Sequence, residues 1–408
     1  MSELVVYLCG QEAGRLIRKD NGNLQFRYGD GYQGPPISQA LPVQVAAYPH
    51  ELCRAVFAGL LIEGEARETI ARNLGVSVGN DYALLEALGG DCAGAITILE
   101  PGQELPRTPS VRAIDADLLD ALLHELPQRP LAADPAEGTR LSLAGAQPKL
   151  PVILEQDEFF LPLNAAAATT HILKPEPARF PGLVDNEAFC MDLAHAVGLP
   201  AAHVRKRRSS AGLAYLLVER YDRDLTADPI RRLHQEDFCQ ALGRQPERKY
   251  QADGGPTVVE VVALLRECSA KPAQDLPTFW RALVFNWLIG NCDAHAKNFS
   301  LLYDAGFPTL APLYDLVSTT VYPELTRRLA MSLDGARQID DVSTQAWTSL
   351  AGEASYSSRF AARETGVLLT RVSEETQRLA GSPEHDSEIV GAIAEGIRAR
   401  SALVAGLL

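Results

Sequence analysis

Leu283-Val-Phe-Asn-Trp-Leu-Ile-Gly-Asn-Cys-Asp-Ala-His-Ala-Lys-Asn-Phe-Ser300 is the stretch around which the chain is organised. Phe279, Leu283, Val284, Trp287 and Leu288 recur at helical spacing, so its first half reads as a buried helix that stops at Gly290. A polar run follows: Asn291, Asp293, His295, Lys297 and Asn298. Residues 299–303 then read as a short strand. A buried helix that feeds a dense polar loop between apolar walls can concentrate chemistry at one place.

Asp293 and Asn298 form D-x-x-x-x-N, the only such pair in the sequence. This is the spacing of a protein-kinase catalytic loop. Phosphoryl transfer needs a carboxylate to accept the proton of the attacking hydroxyl and an amide oxygen to hold magnesium against the phosphates. A tight loop of this length can aim both at one point. Downstream, Pro312-Leu-Tyr-Asp-Leu316 puts Asp315 after a second apolar stretch, where a kinase carries its magnesium-binding aspartate. Leu316-Val317 stands in place of the usual Phe-Gly.

At 408 residues the chain is long enough for two domains or three. Its 46% hydrophobic and 22% charged content are those of an ordinary globular protein. No apolar run reaches membrane-spanning length, and Met1-Ser-Glu-Leu-Val-Val-Tyr lacks the basic start of a signal peptide, so no membrane and a cytoplasmic location are expected. Seven scattered cysteines make no C-x-x-C and eight histidines no H-x-x-x-H, which argues against structural zinc. A formal net charge of −14 opposes non-specific nucleic-acid binding by this chain alone.

In chain order, residues 3–8 and 24–28 read as strands around the Asn21-Gly22 turn. Gly29-Asp-Gly-Tyr-Gln-Gly34 fits G-x-G-x-x-G, but Pro35-Pro36 follows where a dinucleotide fingerprint must open a helix, so it reads as a loop. Residues 51–61, 65–74 and 82–88 read as helices, with Gly75 as a C-cap. The turn Gly89-Gly-Asp-Cys-Ala-Gly-Ala95 then enters a strand at 96–99. Residues 101–109 read as a linker, 115–126 as an amphipathic helix and 127–138 as a second loose connection.

Leu141-Ser-Leu-Ala-Gly-Ala-Gln-Pro-Lys-Leu150 is rich in small residues whose backbone N–H groups can approach phosphates. It also fits an ordinary hairpin turn, and it is no Walker A loop, for the chain has no Gly-Lys pair. Thr170-His-Ile-Leu-Lys-Pro175 is a strand ending in Lys174. A helix at 186–197 follows, expected to be capped by Asp185 and carrying Glu187. A strand lysine before a helix acid repeats kinase small-lobe logic. Residues 203–208 and 213–221 form a hairpin, with the basic run Arg205-Lys-Arg-Arg208 reading as a solvated strand end. Glu219 and Tyr221 close it where a kinase hinge would meet adenine. From residue 235 to 408 the pattern is helical, and Ile389, Ile393 and Ile397 mark one face of the last helix. The expected fold is α+β, a two-lobe protein-kinase-like plan with a strand-rich small lobe, a helical large lobe and an amino-terminal α+β module. The expected divisions are 1–105, 106–221 and 222–408.

These residues carry a resemblance to the HipA family of bacterial toxin–antitoxin kinases. In the amino-terminal module it rests on Leu60-Leu-Ile-Glu-Gly-Glu-Ala-Arg67 and residues 89–95, although Ile62 replaces the family's usual proline. Beyond it, the matching stretches are Ser142-Leu-Ala-Gly-Ala-Gln147, His171-Ile-Leu-Lys-Pro175, Asn186-Glu-Ala-Phe-Cys-Met191 and Glu219-Arg-Tyr-Asp-Arg223. His234-Gln-Glu-Asp-Phe-Cys-Gln240, Gly290-Asn-Cys-Asp-Ala-His-Ala-Lys-Asn298 and Pro312-Leu-Tyr-Asp315 complete the set. The resemblance implies a serine/threonine kinase using ATP and Mg2+. Its substrate class would be aminoacyl-tRNA synthetases, such as glutamyl-tRNA synthetase, whose phosphorylation stalls translation and leads to growth arrest and persistence. Asp293 would be the proton acceptor, and Asn298 and Asp315 the metal ligands. Lys174 and the loop of Ala144, Gly145, Ala146, Gln147 and Lys149 would meet the phosphates. Glu219, Tyr221, His295 and Tyr314 would line the nucleotide. Ser142 matches the family's autophosphorylated serine. A HipB-like helix-turn-helix antitoxin would bring the chain to operator DNA.

Two other classes fit part of the pattern. One is a nucleotide-holding partner of a repressor that transfers nothing; the retained Asp293, Asn298, Asp315 and Lys174 argue against it. The other is a small-molecule kinase, because D-x-H-x-x-N at Asp293, His295 and Asn298 also resembles the lipid-kinase loop.

Overall fold

Alternating burial builds the first sheet. In the computed structural model, which describes residues 2–132, 140–304 and 306–404, strands β1 (Ser2–Leu8), β2 (Gln11–Arg18), β3 (Leu24–Tyr28) and β4 (Ile96–Leu99) form an antiparallel sheet in the order β3-β2-β1-β4. Leu4, Val6, Leu16 and Phe26 turn inward and share a core with Val56, Phe57, Ile70, Leu84, Leu85 and Leu88. Those partners come from helices His50–Phe57, Gly64–Asn73 and Asp81–Leu88. The expected helix at 51–61 thus ends early and tightens into a 3-10 turn at Ala58–Leu60. Strand β2 is an addition to the sequence reading. Its exposed residues Gln11, Glu12 and Arg18 are polar, and Gly14 lies so close to β3 that a Cβ would stand 2.2 Å from the Arg27 carbonyl oxygen.

The chain divides into two compact units. The first comprises Met1–Pro175, Arg207–Pro246 and Leu302–Gly306; the second comprises Glu176–Lys206, Glu247–Leu301 and Phe307–Leu408. The first unit holds a further sheet built on β5 (Val111–Ile114), β6 (Leu150–Glu155), β7 (Glu158–Pro162), β8 (His171–Pro175) and β10 (Ala214–Glu219), with β9 (Val204–Arg208) as the edge strand where the chain re-enters. Helix Ala116–Glu125, capped by Asp115 (Oδ1 to the N–H of Leu118, 2.8 Å), lays Leu119 and Leu123 on Leu150, Val152, Leu173 and Leu217. Of the expected connection at 127–138, residues 133–139 lie outside the described residues.

In the second unit, helix Pro272–Ile289 buries Phe279, Trp280, Leu283, Val284, Phe285, Trp287, Leu288 and Ile289. It packs against Val258–Cys268, Ser358–Ala380 and Glu388–Val404. Trp347 stands edge-on to both Trp280 and Trp287, with ring centroids 5.6 and 5.9 Å away. Such pairs add about 0.5–1.5 kcal/mol to plain burial.

Two expectations are corrected here. The helix expected at 186–197 runs from Leu183 to Ala196. Its first N–H groups are satisfied by Glu176, whose carboxylate accepts from Gly182 and from Val184 (2.8 Å), while Asp185 pairs with Lys206 at 2.7 Å. The helical run from residue 235 onward is also interrupted: Arg328–Leu333 and Ala336–Gln338 pair as a hairpin across Asp334-Gly335. Leu329, Met331 and Leu333 are buried at strand spacing there.

Candidate active site

Gly290 ends the buried helix because only glycine fits. Its φ is +82°, and a Cβ would stand 2.2 Å from Thr320 Oγ1 and 2.8 Å from Arg400 Nη2. The loop that follows is held by its own polar groups. Asn291, itself buried, donates to Asn286 Oδ1 (2.7 Å) and accepts from the Asp293 N–H (3.0 Å). The N–H of Cys292 donates to Thr319 Oγ1 at 2.9 Å. The Asp293 carbonyl accepts from the His295 N–H (2.7 Å) and from Asn298 Nδ2 (3.1 Å). Asp293, His295 and Asn298 are therefore brought into one turn. The Asp293 side chain is exposed and His295 is buried.

The Asp315 segment is pinned to this loop by its neighbour. Tyr314 donates to the Lys297 carbonyl (2.8 Å) and shares a hydrogen bond with Ser300 Oγ (2.7 Å). Asp315 is half-buried with φ +53°, a conformation rare for a residue with a side chain and one that clusters at functional sites. The amide nitrogen of Asn298 is engaged, which leaves its oxygen to ligate. An amide oxygen and a carboxylate are the hard oxygen donors magnesium takes, alongside phosphate oxygens. Among the described residues no group of three or more His, Cys, Asp or Glu is placed to hold a metal. A cavity of about 450 Å³ lies beside Asp293, lined also by Tyr250, Cys292, Thr319, Leu329 and Ala330. Tyr250 donates to Asp293 Oδ1 at 2.9 Å. Sequence reading missed Tyr250, and no local pattern marks it.

The other expected site residues stand in the first unit. Lys174 is buried on β8 opposite Leu216 of β10, and Glu219 pairs with His171 across the same strands. Tyr221 donates to Gln235 Oε1. The loop through Ala144, Gly145, Ala146 and Gln147 is closed by Lys149, whose Nζ donates to the Ala144 carbonyl (2.6 Å). Gly145 has φ +110°, and a Cβ there would lie 2.5 Å from that Nζ. Backbone bonds dock the loop on the amino-terminal module: Ser142 N–H to the Asp91 carbonyl (3.0 Å) and Glu63 N–H to the Gly145 carbonyl (3.1 Å). Ser142 is fully buried, and its hydroxyl donates to the Leu60 carbonyl at 2.8 Å. Lys174 lies in the first unit and Glu187 in the second, and both side chains are buried.

A buried charge network also escaped the sequence reading; it is centred on Asp91 and Asp222. Asp91 meets Arg232 (2.9 Å), Arg223 (3.1 Å), Arg220 (3.5 Å) and the Thr169 hydroxyl (2.7 Å). Asp222 pairs with Arg220 (2.7 Å) and Arg223 (3.1 Å) and accepts from the Gly94 N–H (2.7 Å). Burial alone would raise the Asp91 pKa, but the three guanidinium groups outweigh it and hold the carboxyl far below its usual range.

Residues 141–379 match the HipA-like C-terminal domain, and residues 4–99 match the HipA N-terminal domain. The chain belongs to the HipA family. Y4mE of Sinorhizobium fredii, described as a candidate kinase, is 41% identical over 98% of both chains. The serine/threonine-protein kinase toxin HipA of Shewanella oneidensis is 32% identical over 74% of this chain and 71% of its own. The solved Shewanella oneidensis complex of HipA, HipB and operator DNA superposes with a TM-score of 0.85 at 26% identity, covering 99% of this chain and 97% of that one. The fold is thus the mixed α+β fold of HipA, with its amino-terminal β-sheet module. Among the described residues no helix is long and apolar enough to cross a membrane.

Proposed function

We propose that this HipA-family chain is a serine/threonine protein kinase that moves the γ-phosphate of ATP to a serine of a protein. The observation that carries the reading is the exposed Asp293 carboxylate, set at the end of a buried helix beside a cavity of about 450 Å³. Asp293 accepts the proton of the serine hydroxyl while its oxygen bonds to the γ-phosphorus. The bond from that phosphorus to the β-phosphate oxygen breaks and ADP leaves. Asn298 and Asp315 would hold Mg2+, whose charge offsets that of the phosphate oxygens. Lys174 and the loop 144–149 meet the phosphates; Glu219, Tyr221, His295 and Tyr314 line the nucleotide.

Family membership supports an aminoacyl-tRNA synthetase as substrate, with stalled translation and growth arrest as the outcome. It equally supports autophosphorylation of Ser142, a HipB-like antitoxin that carries the chain to operator DNA, and action in the cytoplasm. We also retain the division into a module at 1–105, a small lobe at 106–221 and a large lobe at 222–408. Labelled-phosphate transfer in a cell lysate, wild type beside Asp293→Asn, tests the activity and reports the substrate together. One labelled protein band that disappears with Asp293→Asn is expected; an equal band with both would remove Asp293 from its role.

A further inference from the structure

We infer that Tyr250 is a positioning residue for Asp293: its hydroxyl fixes one carboxylate oxygen so that the other is presented to the acceptor. The inference rests on the proton-accepting role proposed for Asp293. The backbone of Asp293 is fixed through its N–H and its carbonyl. Its side chain is exposed, and among the described residues the Tyr250 hydroxyl, 2.9 Å from Oδ1, is the group that orients the carboxylate. An aspartate torsion at the carboxylate is broad. Without that bond the group would spend much of its time turned away from an incoming hydroxyl. Tyr250 and Asp293 both line the 450 Å³ cavity, so Oδ2 is the oxygen left for a residue that enters there.

Tyr250 is itself held from several sides. Its ring stands edge-on to His295, centroids 5.4 Å apart at 77°. Its carbonyl accepts from the N–H groups of Asp253 and Gly255, both at 2.9 Å. A Cβ on Gly255 would lie 2.3 Å from the Arg248 carbonyl oxygen and 2.7 Å from that of Tyr250, so the turn closes only around glycine. The adjoining Gln251 accepts from the Ser332 N–H at 2.8 Å, which ties the turn to strand Arg328–Leu333. A tyrosine so fixed is a rigid mount for the carboxylate.

The test is Tyr250→Phe in the full chain, which keeps the ring against His295 and deletes only the hydroxyl. Orientation of a catalytic group is worth roughly ten- to a hundredfold in rate. We expect kcat for phosphate transfer to fall by that factor. KM for the acceptor, the Kd for ATP and the melting temperature should stay at wild-type values. Such a split separates positioning from a packing role, which would move stability, and from a docking role, which would move KM. A Tyr250→Phe enzyme with wild-type kcat overturns the inference and leaves the kinase reading standing. Faster transfer overturns it too, since Tyr250 would then be a plug. A wild-type chain that binds ATP and transfers no phosphate takes down the role of Asp293 and this inference together.

Discussion

The hydroxyl of Ser142 donates to the carbonyl of Leu60 at 2.8 Å, and the serine has no exposed surface. A phosphate, with its charge of about −1.5 to −2 at neutral pH, has no room there. Autophosphorylation of Ser142, if it occurs, would therefore require the 142–149 loop to leave its dock. Mass spectrometry after incubation with ATP and Mg2+ should find phosphate on Ser142, and hydrogen exchange should show loss of protection across 142–149 in the modified form. ATP affinity should fall, because the loop is expected to meet the phosphates; calorimetry showing unaltered affinity would end the idea of a switch. Ser142→Ala, which strands the Leu60 carbonyl, should cost about 1–3 kcal/mol in denaturant melts.

Asp315→Asn is a cleaner probe of the proposed metal site than alanine. Asparagine tolerates the φ of +53° that Asp315 adopts, so only the charge is removed. Magnesium-dependent ATP affinity should drop at least roughly tenfold, the scale on which metal-site substitutions act. If titrating magnesium leaves ATP affinity equal in both proteins, Asp315 is not a ligand.

Glu236 should give the fold a pH dependence. It is buried, accepting from the Gln39 N–H (2.9 Å) and from the Tyr303 hydroxyl. Burial pushes its pKa up to about 7, against those hydrogen bonds, which lower it. The folded chain thus holds a proton that the unfolded chain releases near 4.5. Its contribution is full below that value and declines as pH rises to about 7, by on the order of 1–3 kcal/mol. Glu236→Gln should flatten this slope and be the more stable protein at pH 8. Urea midpoints at several pH values for both proteins check it.

Asp91→Asn should cost about 3–5 kcal/mol, the scale for removing one partner of a buried ion pair. Three arginines lose their shared counter-charge, and Asp222 already pairs with two of them. A urea midpoint unchanged from wild type would show that Asp222 suffices.

The net charge of −14 sets a last expectation. Purified chain alone should give no tight, specific shift of operator DNA at physiological salt, and a basic partner should restore it. A tight shift without a partner would contradict this.

What the sequence made legible was local. The buried helix, its glycine stop and the Asp293–Asn298 turn are all encoded within one short stretch by apolar periodicity and a left-handed glycine. What stayed hidden is long-range or masked by polarity. Tyr250 lies 43 residues before Asp293, in a segment without periodicity. Asp91 and Arg223 are 132 residues apart, and only folding shows that Arg220, Asp222 and Arg223 turn inward. Strand β2 was overlooked because Gln11, Glu12 and Arg15 obscure the inward Ala13 and Leu16. The start of helix Leu183–Ala196 is misplaced because the carboxylate that accepts from its first turn, Glu176, lies eight residues before Val184, outside the local cap position.

Arg400 ties the helix before the Asp293 loop to a late part of the sequence. Its Nε donates to the Leu288 carbonyl at 2.8 Å, across 112 residues of sequence, beside the glycine where the loop begins. A ribosome that has just made Asp293 has not yet made the guanidinium that secures the helix carrying it. Until residue 400 emerges, the nascent chain holds every residue of the loop without that bond behind it.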